Sequence, residues 1–144
     1  MLDRSNVYLD PTDAGVRSLL DRNISGPVVM LNLIRLRDRA DYATHPELAP
    51  AEPISGSDAY QMYIDHTTPY LAATGGSILL LGAGGHHLIG PPEERWDIVM
   101  LVQQASVQDF LAFAGNEGYL AGIGHRVAAV EDSRLLPVSL PSAE

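Results

Sequence analysis

The chain has 144 residues, 46% of them hydrophobic, and this size and apolarity predict one compact domain with its own core. Its formal net charge of −9 argues against a nucleic-acid partner or an anionic membrane surface, because both need clustered positive charge. All nine basic residues are arginines, which excludes a Schiff-base lysine and a P-loop. The lack of cysteine excludes thiol nucleophiles, disulfides and Cys-ligated metal sites.

Residues 1–26 predict a helical N-terminal extension. Asp10 can cap a short helix, Pro11 suits its first turn, and Val16 and Leu19 belong to a small apolar stripe. The start, MLDRSNVYLD, is charged by its third residue and lacks the apolar stretch of a secretion signal, and apolar runs elsewhere are too short to span a bilayer. We therefore expect a cytoplasmic protein.

A central domain is predicted over residues 27–138, followed by a tail over residues 139–144. The run PVVMLNLIRL predicts its first strand, and residues 40–56 then predict a proline-rich loop that is either functional or mobile. The next helix should be capped by Ser57. The apolar stripe predicted to face the sheet consists of Ala59, Met62, Tyr63, His66, Tyr70 and Ala73.

The second half of the domain supplies three more strands and another helix. SILLLGAG and RWDIVMLVQQ predict two strands, and SRLLPV predicts a last one. Ser106 and Asp109 form a capping box for a helix interrupted near Gly115. The resulting βαββαβ order predicts an α+β, ferredoxin-like fold with a four-stranded antiparallel sheet and helices on one face. The other face then needs a partner.

Five segments of the chain resemble a family of small bacterial proteins of unknown function within the dimeric α+β barrel superfamily. They are PVVMLNLIRLRDRADY, GSDAYQMY, GGSILLLG, IGPPEERWDIVML and HRVAAVEDSRLLP. The resemblance departs where members usually have Tyr-Pro-Ser and this chain has Gln104-Ala105-Ser106. It implies a homodimer whose two sheets pack into an eight-stranded barrel. It supplies no catalytic residue, since superfamily relatives include both cofactor-free monooxygenases and muconolactone isomerases.

Strand alternation gives a first set of candidate ligand-binding residues. Assigning the apolar residues of the first and third strands to the helix-covered face predicts that Asn32, Asp97 and Gln103 lie inside the barrel and converge on one ligand. Asn32 could instead pair across the dimer, because a buried amide must be satisfied. We also predict one apolar patch that the dimer would bury, made of Met30, Ile34, Val99 and Leu101.

Basic and histidine side chains add further candidates, each with a structural alternative. Arg35 could bind a substrate carboxylate at the end of the first strand, or belong to a solvated mixed-charge rim. His66 is the candidate general base, provided that it reaches a cavity; otherwise it is a hydrogen-bonded core histidine. His125 and Arg126 could close the same cavity or cap a carbonyl group.

We expect neither a metal nor an organic cofactor. His86 and His87 are adjacent on a strand, so they point to opposite faces and cannot both reach one ion while the backbone is regular. Gly82-Ala83-Gly84 follows a strand as a dinucleotide-binding loop would. Pro91-Pro92, however, removes the helix whose N-terminus would hold the pyrophosphate.

Two functions remain open on the sequence alone. The first is a small-molecule-binding barrel that includes the possibility of a cofactor-independent oxygenase or isomerase acting on a small, partly apolar metabolite. The second is a non-catalytic binding or dimerisation module with a filled barrel core. A ligand-sized cavity with converging polar groups favours the first.

Overall fold

A four-stranded antiparallel sheet lies at the centre of the computed structural model, which describes residues 7–141. Its strands, β1 (Val28–Leu36), β2 (Ser77–His86), β3 (Arg95–Gln104) and β4 (Val130–Ser139), lie in the order β2-β3-β1-β4. This is the ferredoxin-like order, with the first and third strands as central neighbours. The predicted α+β fold class is therefore confirmed.

The helices occur where the apolar periodicity predicts them. They are α1 (Asp13–Asp21), α2 (Gly56–Ala73), α3 (Val107–Ala114), α4 (Glu117–Leu120) and α5 (Ile123–Ala129). The predicted interruption after α3 is present, and a second break separates α4 from α5. Within the described part of the chain, no helix is both long and apolar enough to cross a membrane.

Two of the three predicted helix caps are shifted by two residues. Thr12 rather than Asp10 caps α1, where its hydroxyl accepts the Gly15 N–H at 3.0 Å. Ser55 rather than Ser57 caps α2, where its hydroxyl accepts the Asp58 N–H at 2.9 Å. The Ser106 cap of α3 is present as predicted. Several potential caps precede α1 and α2, so composition alone does not select the one with the required extended backbone.

The buried face of α2 is rotated from the predicted one. Two residues of the predicted stripe, Ala59 and Tyr63, are buried in the core, but Met62 is 38% exposed. Tyr60, Ile64 and Leu71, which the prediction left out, are core residues at 1%, 9% and 4% exposure. The spacing of these buried residues, i, i+4, i+11, fits the period of a helix as well as the spacing of the predicted stripe does. The sequence therefore supports two overlapping stripes, and packing against the sheet selects between them.

The helix-covered face of the sheet carries the even-numbered residues of β1 and β3. Met30 pairs with Val102 and Asn32 with Met100 across the two strands. Because paired residues share a face, all four side chains point towards the helices. The apolar members of this set pack against the core residues of α2, α3 and α4.

The helix-free face carries a row of four leucines across all four strands. Leu101 pairs with Leu80 on one side and with Leu31 on the other, and Leu31 also pairs with Leu136. Leu80 and Leu136 are 45% and 57% exposed. We call these four residues the leucine row.

The predicted apolar patch for dimer contact was wrong in half of its members. Met30 and Ile34 are 2% and 0% exposed, because they lie under the helices. Val99 and Leu101 lie on the helix-free face, where they pair with Leu33 and Leu31 of β1. The error arose because both alternating sets of β1 are largely apolar, so hydrophobicity did not distinguish the faces.

The N-terminal extension lies against β4 as far as it is described. The Tyr8 backbone N–H donates to a carboxylate oxygen of Asp132 at 2.8 Å, and the Ser133 N–H donates to the Tyr8 carbonyl at 2.9 Å. This places Leu9, Asp10 and Pro11 beside the helical layer. The remainder of the predicted extension, residues 1–6, and the end of the predicted tail, residues 142–144, lie outside the described residues.

Candidate ligand-binding cavity

A cavity of about 290 Å³ lies between the helix-covered face of the sheet and the helices above it. Its volume is at the lower end of small-molecule sites, which span roughly 300–1,000 Å³. The lining is mainly apolar and includes Met30, Ile64, Met100, Val102 and Phe113. The cavity is thus formed within one protomer and does not depend on a second copy.

The predicted convergence of Asn32 with Asp97 and Gln103 was wrong. Asn32 pairs with Met100 and lines the cavity, so it lies on the helix-covered face. Asp97 and Gln103 are each an odd number of residues from Met100 along β3, so their side chains point to the opposite face. Asn32 itself donates from Nδ2 to the Met30 carbonyl at 3.1 Å.

Asp97 and Arg35 each have structural partners at the ends of strands. The Asp97 carboxylate accepts a hydrogen bond of 2.7 Å from the Leu36 backbone N–H, at a point where β1 no longer pairs with β3. The same carboxylate accepts a bond of 3.2 Å from Arg95. Arg35 lies 3.7 Å from Asp132, its cross-strand partner on β4, within an ion pair. Neither side chain, nor that of Gln103, lines the cavity.

His66 lies between helices, outside the cavity lining. Its Nε2 donates to the Gly118 carbonyl at 2.7 Å, and its ring packs against Tyr70 with centroids 5.4 Å apart. Gly122 faces the same ring so closely that a Cβ atom there would overlap it. These contacts fit the structural alternative for His66, a histidine that joins α2 to the segment containing α4 and α5.

His125 lies under the proline-rich loop rather than in the cavity. Its Nδ1 is 2.8 Å from the Tyr42 hydroxyl, and the two rings meet edge to face. Burial lowers the pKa of His125, and the nearby His66 lowers it further. The hydrogen bond between the neutral imidazole and the Tyr42 hydroxyl fastens this loop to α5.

Arg126 is the second predicted candidate that lines the cavity, together with Asn32. Its Nη1 donates to the Leu9 carbonyl at 2.9 Å, and its Nη2 to the Ser133 hydroxyl at 3.3 Å. Both partners are neutral. The guanidinium thus links α5 to the N-terminal extension at one end of the cavity.

A pair of buried tyrosines supplies polar groups that the sequence did not predict as site residues. The Tyr63 and Tyr119 hydroxyls are 2.8 Å apart, and both side chains line the cavity. One phenol proton makes this bond, so the other is available to an acceptor. Burial raises the pKa of Tyr119 and of the neighbouring Tyr60, which keeps both phenols neutral.

Two residues that line the cavity each carry a buried polar atom with no hydrogen-bond partner among the described residues. These atoms are the Oγ1 atom of Thr67 and the Oε1 atom of Gln104, on side chains that are 8% and 1% exposed. Buried polar groups in folded proteins are nearly always paired, with protein groups or with ordered water. The same helical period that reveals the core face of α2 would have identified Thr67 from the sequence, as a polar residue on an apolar stripe.

The described residues include no group of three or more His, Asp or Glu side chains arranged to hold a metal. His87 lies 2.9 Å from Glu94, and His86 donates to the Pro92 carbonyl at 2.9 Å. The two histidines therefore engage different partners around the β2–β3 turn.

Fold and cavity together define a class of ferredoxin-like α+β protein with an internal pocket between its sheet and its helices. Comparison with known proteins gives the family. Two solved structures of the RPA0582 protein, whose function is unknown, are each 34% identical to this chain over 95% of its length. The two matches cover 97% and 99% of the RPA0582 chains, with TM-scores of 0.80 and 0.77. The second structure is of the protein from Rhodopseudomonas palustris.

The chain belongs to the family of RPA0582, and the resemblance to a family of unknown function is thereby confirmed. A dimeric protein of unknown function with a ferredoxin-like fold from Bacteroides fragilis is more distant, at 16% identity over 81% of this chain and 99% of that one, with a TM-score of 0.49. No family model and no curated protein matches the chain.

Proposed function

We propose that this protein is a homodimer that binds a small, partly apolar molecule in the cavity of each protomer. The observation that carries the proposal is a pair of buried polar atoms, on the lining residues Thr67 and Gln104, that have no partner within the described part of the chain. Each such atom costs about 1–3 kcal/mol when it is buried without a partner, and a ligand that pairs with them recovers this free energy. The apolar lining supplies the hydrophobic part of the affinity.

Binding rather than catalysis is proposed because of the protonation states of the lining groups. Tyr60 and Tyr119 have raised pKa values and stay neutral, so they donate and accept hydrogen bonds without acting as bases. Arg126 is a cation. A cofactor-independent oxygenase or isomerase, as suggested by the resemblance, would need a buried base. The predicted candidate His66 lies outside the cavity lining, and Asp10, the carboxylate in the lining, is an exposed residue.

Homodimer formation is proposed because the leucine row leaves apolar side chains exposed on one side of the sheet. Soluble monomers rarely expose a contiguous apolar patch of several hundred Å². A second copy, packed sheet to sheet, would bury the row in a barrel-like interface of the standard size, about 1,600 Å² in total.

The proposal keeps the expected cytoplasmic location. It includes no nucleic-acid partner, because the net charge of the chain is −9.

A thermal-shift screen against a metabolite library tests the binding proposal. Ligands of the cavity should raise the melting temperature of the wild-type protein and lose this effect when the cavity is filled. Ala114→Leu fills it, because Ala114 lines the cavity near the end of α3. Ala112→Leu is the matched control, since Ala112 is exposed on the same helix. Hits that stabilise both variants equally would contradict the proposed site.

A further inference from the structure

We infer that the ligand is a small organic acid whose carboxylate is bound by Arg126, an inference that rests on the proposed function. Arg126 lines the cavity from α5 and is partly buried. A guanidinium group has five N–H donors, and the two described bonds of Arg126, to Leu9 and Ser133, use two of them. Three donors remain for a ligand.

Arg126 forms no ion pair with any described carboxylate. Asp132, which precedes the partner Ser133 in the chain, is instead paired with Arg134 at 2.7 Å and with Arg35 at 3.7 Å. Asp10 also lines the cavity, but it is an exposed residue and makes no ion pair with Arg126. Within the described residues, Arg126 therefore bonds neutral acceptors alone, and no carboxylate balances its positive charge.

A guanidinium with no carboxylate partner among residues 7–141, beside an apolar cavity, favours an anion. Partial burial weakens its hydration, and the lower local dielectric strengthens its attraction for a negative charge. Arginine binds a carboxylate through two parallel N–H bonds, which suits a planar acid group better than a single neutral acceptor. One arginine at one end of the cavity matches one acid group.

The rest of the cavity defines the body of this acid. Met30, Met100 and Phe113 provide an apolar surface, and the volume of about 290 Å³ admits a single ring or a short chain. Thr67 and Gln104 add neutral polar side chains to the lining. The inferred class is therefore a monocarboxylic acid with an aromatic or aliphatic body, and a polar substituent on that body would strengthen binding.

Matched acid and amide probes test the inference by isothermal titration calorimetry. Wild-type protein is titrated with phenylacetate and phenylacetamide, and with hexanoate and hexanamide. Each acid should bind about tenfold or more tightly than its amide, because a charged hydrogen-bonded pair is lost in the amide. Arg126→Gln should remove this preference, and Arg126→Lys should retain only part of it, since lysine lacks the two-pronged contact.

Arg22→Gln is the matched control, because Arg22 also donates to a backbone carbonyl, that of Pro137 at 2.7 Å, but is exposed and does not line the cavity. It should keep the full acid preference. Should Arg126→Gln fail to fold, the wild-type acid-to-amide ratio and Arg126→Lys still decide the matter.

Equal or weaker binding of the acids by the wild-type protein, or no binding of any probe, would overturn the inference. So would an acid preference that survives in Arg126→Gln. The proposed function is judged separately: neutral hits from the library screen that lose their effect in Ala114→Leu would support binding in the cavity while the acid inference fails.

Discussion

The hydroxyl groups of Tyr63 and Tyr119 lie 2.8 Å apart in the interior, joining α2 to α4 where both helices border the cavity. Their rings meet edge to face with centroids 6.1 Å apart, so the pair contributes both packing and a hydrogen bond. This contact fixes the distance between the two helices that cover the pocket.

Removing either hydroxyl of this pair should destabilise the protein. Tyr63→Phe and Tyr119→Phe should each lower the free energy of unfolding by about 1–3 kcal/mol, because one buried phenol then loses its partner. The double variant should cost less than the sum, since it leaves no stranded group. Urea denaturation of the four proteins measures this coupling, and strict additivity would contradict the described bond.

Replacing Thr67 by Val should not destabilise the ligand-free protein. The Thr67 hydroxyl has no described partner, so a methyl group of similar size removes an unpaired polar atom from the interior. Ligand affinity should fall. Thr74→Val is the control, because the Thr74 hydroxyl donates to the Leu71 carbonyl at 3.1 Å, so this change should cost about 0.5–1.5 kcal/mol and leave affinity unchanged. A clear loss of stability in Thr67→Val would mean that its hydroxyl is paired.

Stability should fall as the pH is lowered from 7 to 5, partly because of His125. Burial lowers the pKa of His125 in the folded state below its ordinary value of 6.5. Below that value the unfolded chain binds more protons than the folded one, so acid favours unfolding. His125→Gln should flatten this slope, whereas exposed His86→Gln should not. Urea denaturation at several pH values tests this, and an unchanged slope in His125→Gln would contradict it.

A charge in the leucine row should disrupt the proposed dimer. Leu101 lies in the middle of the row, where Leu101→Arg would place a cation between two facing sheets. Leu20→Arg is the control, because Leu20 is 46% exposed on α1. Sedimentation should give dimers for wild type and control and monomers for Leu101→Arg. A folded wild-type monomer at micromolar concentration would contradict the dimer.

Local sequence signals predicted the elements of this fold better than its faces. Strand and helix positions follow from apolar periodicity, capping residues and turns, which act over a few residues. The orientation of β1 did not follow, because both of its alternating sets are mostly apolar and only the register with β3, Asn32 opposite Met100, separates them. A one-residue change of assignment moves every side chain to the other face.

The cavity was only partly predictable for the same reason. Asn32 and Arg126 were recognised by residue type, and both line it. Thr67 was missed because the other apolar stripe of α2 was chosen. Gln104 and the tyrosine pair were missed because their significance depends on which polar atoms lack or share a partner in three dimensions. Such pairing joins residues far apart in the chain, and no spacing rule encodes it.

Methionine-methyl NMR tests the central claim, that the cavity within each protomer binds a small molecule, most directly. Met30 and Met100 line the cavity, whereas Met62 is exposed on α2 and serves as an internal control. Protein labelled with ¹³C at the methionine methyl groups is titrated with the strongest compound from the library screen. We expect saturable shifts of the Met30 and Met100 signals, with the Met62 signal unchanged. Saturable binding that leaves Met30 and Met100 unmoved would contradict it.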